Sequence, residues 1–127
     1  IEDAVFNCQA QRIGHGWQII DGCQYKNDAY IPNSKIAQYV LDKQIPLEIC
    51  ISSNVKSGAS SVTIENHPAI KLLKSGFKVT LNSDNRLMAK TKISEEFKKA
   101  ENYLELDGNL HSQLVKNAID ARFTNLK

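Results

Sequence analysis

Short apolar runs begin near residues 11, 46 and 77, and each gives way to a helical pattern before the next begins. The runs are "QRIGHG" (Gln11 to Gly16), "PLEICISS" (Pro46 to Ser53) and "FKVTLNSD" (Phe77 to Asp84). An interval of about thirty to thirty-five residues is the length of a strand plus its crossover helix, which predicts consecutive parallel βα units. Parallel strands need both faces covered, so the fold class is α/β. A (β/α)8 TIM barrel takes eight such units over about 250 residues. This chain supplies three of them, with a leading helix and a trailing pair, close to half a barrel.

The intervening segments carry their own start and stop signals. "NSKIAQYVLDKQ" has Asn33 or Ser34 as N-cap, with Ile36, Ala37, Val40 and Leu41 on one face. "HPAIKLLKSG" places Pro68 in a first helical turn, Leu72 and Leu73 inward, and Gly76 at the C-terminal cap. "SEEFKKAENYLEL" starts a helix at Ser94 and "NLHSQLVKNAIDARF" another at Asn109, with "LDG" as the break between them. The opening "IEDAVFNCQAQ" lacks a Met and is already amphipathic, which reads as an interior cut.

Charge excludes some partners. Sixteen basic and fourteen acidic residues, net +2, are interspersed and form no basic stripe for nucleic acid and no polybasic membrane patch. Three widely spaced cysteines, Cys8, Cys23 and Cys50, suggest neither a disulfide framework nor a thiolate zinc knuckle. A reduced, cytoplasmic setting is the expectation, and no apolar run approaches the length of a membrane span.

In parallel α/β folds, chemistry gathers at the carboxyl ends of the strands. Each run ends on its most polar cluster: His15, then Ser52 to Asn54, then Asn82 to Asn85. Three such ends would converge on one rim, bringing an imidazole and a carboxylate together. That is material for a metal site or an acid/base pair, although turn chemistry alone also places Asn, Ser and Asp after strands.

The ordered motifs "RIGHG", "LEICISSN", "SGAS", "HPAIKLLKSGFKVTLNSDN" and a following "EF", from about Gln11 to Phe97, resemble the carboxyl-terminal portion of the adenosine deaminase family. The resemblance implies a zinc-dependent (β/α)8 barrel that hydrolyses the 6-amino group of adenosine or a related purine to give inosine and ammonia. It implies that His15 is the family histidine after the sixth strand and that Asp84 is the aspartate after the eighth strand. His15 would orient the attacking water; Asp84 would be both zinc ligand and orienter. Asn85 departs from the family pattern, in which a second aspartate often meets N7 of the purine. An Asn side-chain NH2 can donate to N7 directly, so Asn85 is expected to bind substrate. Ile51 departs too, where the family often has proline.

The family's other zinc histidines and its proton-delivering glutamate would lie upstream of Ile1. Residues 1–127 are therefore expected to be the C-terminal segment of one barrel domain whose N-terminal half is absent, and to be inactive alone. Its partners would be a purine nucleoside and either the missing half or another copy of the chain, since an opened barrel leaves sheet edges unpaired. The alternative is a non-catalytic barrel relative that binds a purine or a partner. Trp17, Cys50, Ser53, Asn54 and His67 read as structural, His111 as solvated, and Lys90, Lys92, Lys98 and Lys99 as a solvated face.

Overall fold

The three expected strands form one parallel sheet in the order β1 (Ile13–Gly14), β4 (Leu47–Ile49), β5 (Val79–Leu81). Register aligns Ile13 with Leu47 and Leu47 with Val79, then Gly14 with Glu48 and Glu48 with Thr80. The computed structural model describes residues 1–58 and 62–124, so Ala59 and Ser60 of the "SGAS" motif lie outside the described residues. Each strand is shorter than the sequence suggests. "ISSN" is helical, because α3 (Ile51–Lys56) begins directly after Cys50. The rim residues Ser52 to Asn54 therefore stand on the first turns of a helix and not on a strand end.

The alternating side chains Ile13, Leu47, Ile49, Val79 and Leu81 are buried, with Leu47, Ile49 and Val79 fully covered. The helices that follow each strand cover them. These are α2 (Lys35–Asp42), α4 (Ala69–Lys74), α6 (Ile93–Tyr103) and α7 (Gly108–Asp120), with Val40, Ile70, Leu72, Ala100 and Leu114 turned inward. The boundaries at Ser34 and Gly76 follow the expected signals, whereas α6 and α7 each start one residue before the expected Ser94 and Asn109, and Asp107 of the expected break is the α7 cap. Ser34 Oγ accepts from the Ala37 amide, Asp107 caps α7 through the Leu110 amide, and Gly76 takes a φ of +90° just past α4.

Two features depart from a plain βα repeat. Between β1 and α2 the chain runs through a 3-10 helix (Gly16–Gly22) and an antiparallel hairpin, β2 (Cys23–Lys26) with β3 (Ala29–Pro32). Asn27 and Asp28 form the hairpin turn, both with positive φ, as a two-residue type I′ loop requires. "YKNDAY" carried that signal in the sequence. The second departure is at the sheet edge, where Asn117 of α7 donates to the Val79 carbonyl at 2.9 Å and is itself buried. A helix side chain thus satisfies a backbone group that another strand would otherwise take.

The remaining helices are α1 (Glu2–Phe6) and the four-residue α5 (Arg86–Ala89). Among the described residues no helix is long and apolar enough to cross a membrane. His111 is half-buried and packs its ring 4.7 Å from that of Phe97, where the sequence suggested solvent.

Gly16 sets how closely the backbone after β1 approaches the core. A Cβ at this position would lie 2.7 Å from Leu47 Cδ2 and 3.2 Å from Leu47 Cβ. Because Leu47 is fully buried, it has little room to yield. Gly16→Ala is expected to cost about 1–3 kcal/mol through overpacking, read as a lowered denaturant midpoint at unchanged slope.

Candidate active site

The parallel ladder carries three strand ends to one rim. The His15 amide donates to Glu48 O at 2.8 Å and the Asn82 amide to Ile49 O at 2.8 Å, so the ladder is paired up to the points where the polar residues begin. His15 and Asp84 then leave their strands in the left-handed conformation, with φ of 52° and 53°. Non-glycine residues seldom adopt it, and such strain gathers where side chains must be aimed.

The aim brings the expected pair together. His15 Nε2 lies 3.6 Å from Asp84 Oδ2, with the two side chains 48% and 38% exposed. The separation exceeds a direct hydrogen bond, and a water seated beside the two atoms could reach both. Ser53 Oγ donates to the same Asp84 oxygen at 2.6 Å, fixing the carboxylate's rotation from the helix above β4. Asn85 lies next to this pair as the N-cap of α5, its Oδ1 accepting from the Met88 amide at 3.0 Å. Its oxygen is thereby occupied, which leaves the NH2 group as the part of the side chain facing out. Asn82 stays with the strand, donating to Thr80 Oγ1 at 2.9 Å.

Behind the rim lies a second layer that the sequence reading left as structural. Asn54, buried at 5% exposure, stands among His15 Nδ1, Trp17 Nε1, the Cys50 carbonyl and His67 Nε2. His67 is 2% exposed, and its ring packs 6.0 Å from that of Trp17. Burial pushes its pKa down to about 4, against an opposing pull from Glu96, so the imidazole is neutral near pH 7. Cys50 is buried beside β4. Burial first, then the carboxylates of Asp84, Glu96 and Glu48, pushes its thiol up to about 12, which makes it inert as a nucleophile.

Glu96 is the acid of the "EF" motif, to which the sequence reading gave no role. It sits on α6 at 1% exposure and accepts from the Ser52 amide at 3.0 Å, from Ser52 Oγ, and from Thr91 Oγ1 at 2.7 Å. Lys99 completes the ion pair at 3.2 Å and also reaches Ser52 Oγ, so Lys99 is not part of a solvated face. Burial pulls the Glu96 pKa up, but the bonds from Ser52, Thr91 and Lys99 outweigh it and hold the group below the usual carboxylate range. The bond to the Ser52 amide ties the first turn of α3 to α6. The sequence signal was available: Glu96 shares a helix face with Ala100 and Leu104, where an apolar residue would be expected.

Asp84 offers a carboxylate and His15 an imidazole, both donor types that zinc accepts. Among the described residues, however, no group of three or more His, Cys, Asp and Glu side chains could hold a metal ion. Asp84 and His15 are of the right donor types, but together they are fewer than the three or four protein donors that a zinc site takes.

Comparisons with known proteins bear on the family and the fold. The family profile described as adenosine deaminase matches residues 1–127. An adenosine deaminase of Mycobacterium marinum is 44% identical over 96 residues, covering 76% of this chain and 26% of the relative, so the chain spans about a quarter of that protein's length. An adenine deaminase structure from Arthrobacter aurescens superposes on 98% of this chain with a TM-score of 0.82 at 24% identity, and the match takes up 35% of that structure. A zinc-bound amidohydrolase from Burkholderia ambifaria superposes with a TM-score of 0.76 at 19% identity, over 98% of this chain and 32% of that one.

Two measurements follow from the buried layer. His67 and Glu96 both have depressed pKa values when folded, so the unfolded chain binds more protons as pH falls. Stability should be full above about pH 6.5, where free histidine titrates, and drop on acidification, with His67 contributing a loss of roughly 3 kcal/mol by about pH 4. Denaturant midpoints at pH 7, 5.5 and 4.5 check this, and a flat profile would contradict it. Glu96→Ala should cost about 3 kcal/mol or more at pH 7, because Lys99 and the Ser52 and Thr91 donors lose their shared buried acceptor.

Proposed function

This chain belongs to the adenosine deaminase family, and on that premise we propose that it forms one side of a hydrolytic deaminase site acting on adenosine or a related 6-aminopurine. Residues 1–127 are taken as the C-terminal part of one (β/α)8 barrel domain, with its remaining zinc ligands and its proton donor contributed from outside these residues. The observation that carries the proposal is the approach of His15 Nε2 to Asp84 Oδ2, 3.6 Å, from the ends of β1 and β5 on either side of β4. An imidazole nitrogen and a carboxylate oxygen, the latter already accepting from Ser53, stand side by side there, so that one water seated beside them could bond to both.

Zinc, when bound, would supply a water of lowered pKa; the zinc-bound relative from Burkholderia ambifaria supports this cofactor for the fold. Asp84 would contribute one carboxylate oxygen to the metal, while the other, fixed by Ser53, orients the water. His15 holds the water from its second side and receives a proton at Nε2. Asn85, with its oxygen committed to the α5 cap, donates from its NH2 to N7 of the purine. In the net reaction the water oxygen bonds to C6 and the C6–N bond breaks; one water proton leaves on the amine nitrogen as ammonia, and the other ends on N1 of the product.

The test uses the full-length protein. Asp84→Ala should lose zinc, measured by elemental analysis, and should lose the fall in ultraviolet absorbance as adenosine becomes inosine. Undiminished turnover would remove this site from consideration. A wild-type protein that binds purine without releasing ammonia would instead favour the non-catalytic reading.

A further inference from the structure

Asn54 touches both the rim His15 and the buried His67, and the chemistry of its other two neighbours decides what it does to them. Trp17 Nε1–H can only donate, and the Cys50 carbonyl can only accept. They lie 3.2 Å and 2.9 Å from opposite ends of the Asn54 amide, so Oδ1 faces Trp17 and Nδ2 faces Cys50. The reverse orientation would set N–H against N–H and oxygen against oxygen within a buried layer, where each such mismatch carries the desolvation penalty of an unmade bond. It would let His67 Nδ1 accept from the Ala69 amide, but at 3.3 Å that is a weak bond against two shorter ones.

Once the amide is oriented, two ring tautomers follow. Oδ1 has His15 Nδ1 at 2.9 Å as its second neighbour, so that nitrogen must carry the hydrogen. Nδ2 directs its second hydrogen at His67 Nε2, 3.3 Å away, so that nitrogen is the bare one. A neutral His67 is then the back wall that keeps Asn54 from turning over.

We propose that Asn54 is a positioning residue that fixes the His15 proton on Nδ1 and so presents the bare Nε2, 3.6 Å from Asp84 Oδ2, to the attacking water. The proposal rests on the deaminase reading for its use, although the tautomer itself does not. Asn54 contacts neither the water nor the purine; it acts through His15. With Nε2 bare, the water's O–H bond breaks toward His15 as its oxygen bonds to C6, and that proton later departs on the amine nitrogen. In the other tautomer, Nε2–H would point at the water's lone pair and oppose attack.

The tautomer can be read without turnover. In the full-length protein labelled with 15N-histidine, long-range proton–nitrogen correlation spectra distinguish a protonated from a bare ring nitrogen, and His15 is assigned by difference against His15→Gln. The expected result is Nδ1–H with bare Nε2 in the wild type. Asn54→Leu should shift His15 toward Nε2–H and lower kcat by about 10–100-fold, the usual effect of losing an orienting partner, with KM changed by less than about threefold and zinc content unchanged. Asn54→Asp, which keeps an acceptor for His15 and Trp17, should retain the Nδ1–H signature and lose less turnover than Asn54→Leu. An Nε2–H signature in the wild type, or an unshifted His15 in Asn54→Leu, overturns the proposal. A wild type with this spectrum but no deamination would overturn the functional reading and leave the Asn54 assignment standing.

Discussion

The register of three short parallel strands determines where everything else can go. Two backbone bonds, from His15 to Glu48 and from Asn82 to Ile49, carry the ladder up to the last residue before each polar cluster. A slip of one residue would exchange the buried Ile13, Leu47 and Val79 for Gly14, Glu48 and Thr80, moving the apolar set to the wrong face. The apolar core therefore enforces the same register that brings His15 and Asp84 within reach of each other. Packing and chemistry depend on one alignment.

Above the sheet, α3 transmits that alignment sideways. Its first turn is held from outside by the Glu96 carboxylate and carries two residues that act inward: Ser53 on Asp84 and Asn54 on His15. A buried carboxylate is costly to desolvate, and here four donors from three segments offset the cost. The arrangement is rigid because every group in it already has a partner. Rigidity is what a site needs when its two working side chains stand on exposed strand ends.

How far the sequence could be read depends on the kind of signal. The strand spacing, the caps at Ser34 and Gly76 and the polar strand ends are local or periodic, and the structure places them as expected. The strand lengths were overestimated because "ICISS" is as apolar as a strand, while helix α3 is chosen by a tertiary contact 44 residues away, between Ser52 and Glu96. Asn54 and His67 were visible as polar residues, but whether a polar residue in such a stretch faces solvent, backbone or another side chain is set by packing that no local pattern encodes. Lys99 was misplaced because its partner, Glu96, was given no role, although Glu96 shares a helix face with Ala100 and Leu104. The Asn27–Asp28 hairpin is different. Its turn signal was local and complete, and the βα rhythm on either side obscured it.

The left-handed backbone at His15 and Asp84 has a consequence beyond aiming the two side chains. Glycine, asparagine, aspartate and histidine are the residues that tolerate this geometry readily, and three of those four carry lone pairs. The shape of the turn thus restricts the set of side chains that can stand at the rim before any reaction selects among them. An accidental replacement by a branched or bulky apolar residue would be penalised in folding as well as in chemistry. A rim built in this way drifts most easily among polar, coordinating residues, so its fold would keep offering ligands and hydrogen-bond partners even in a descendant that had given up catalysis.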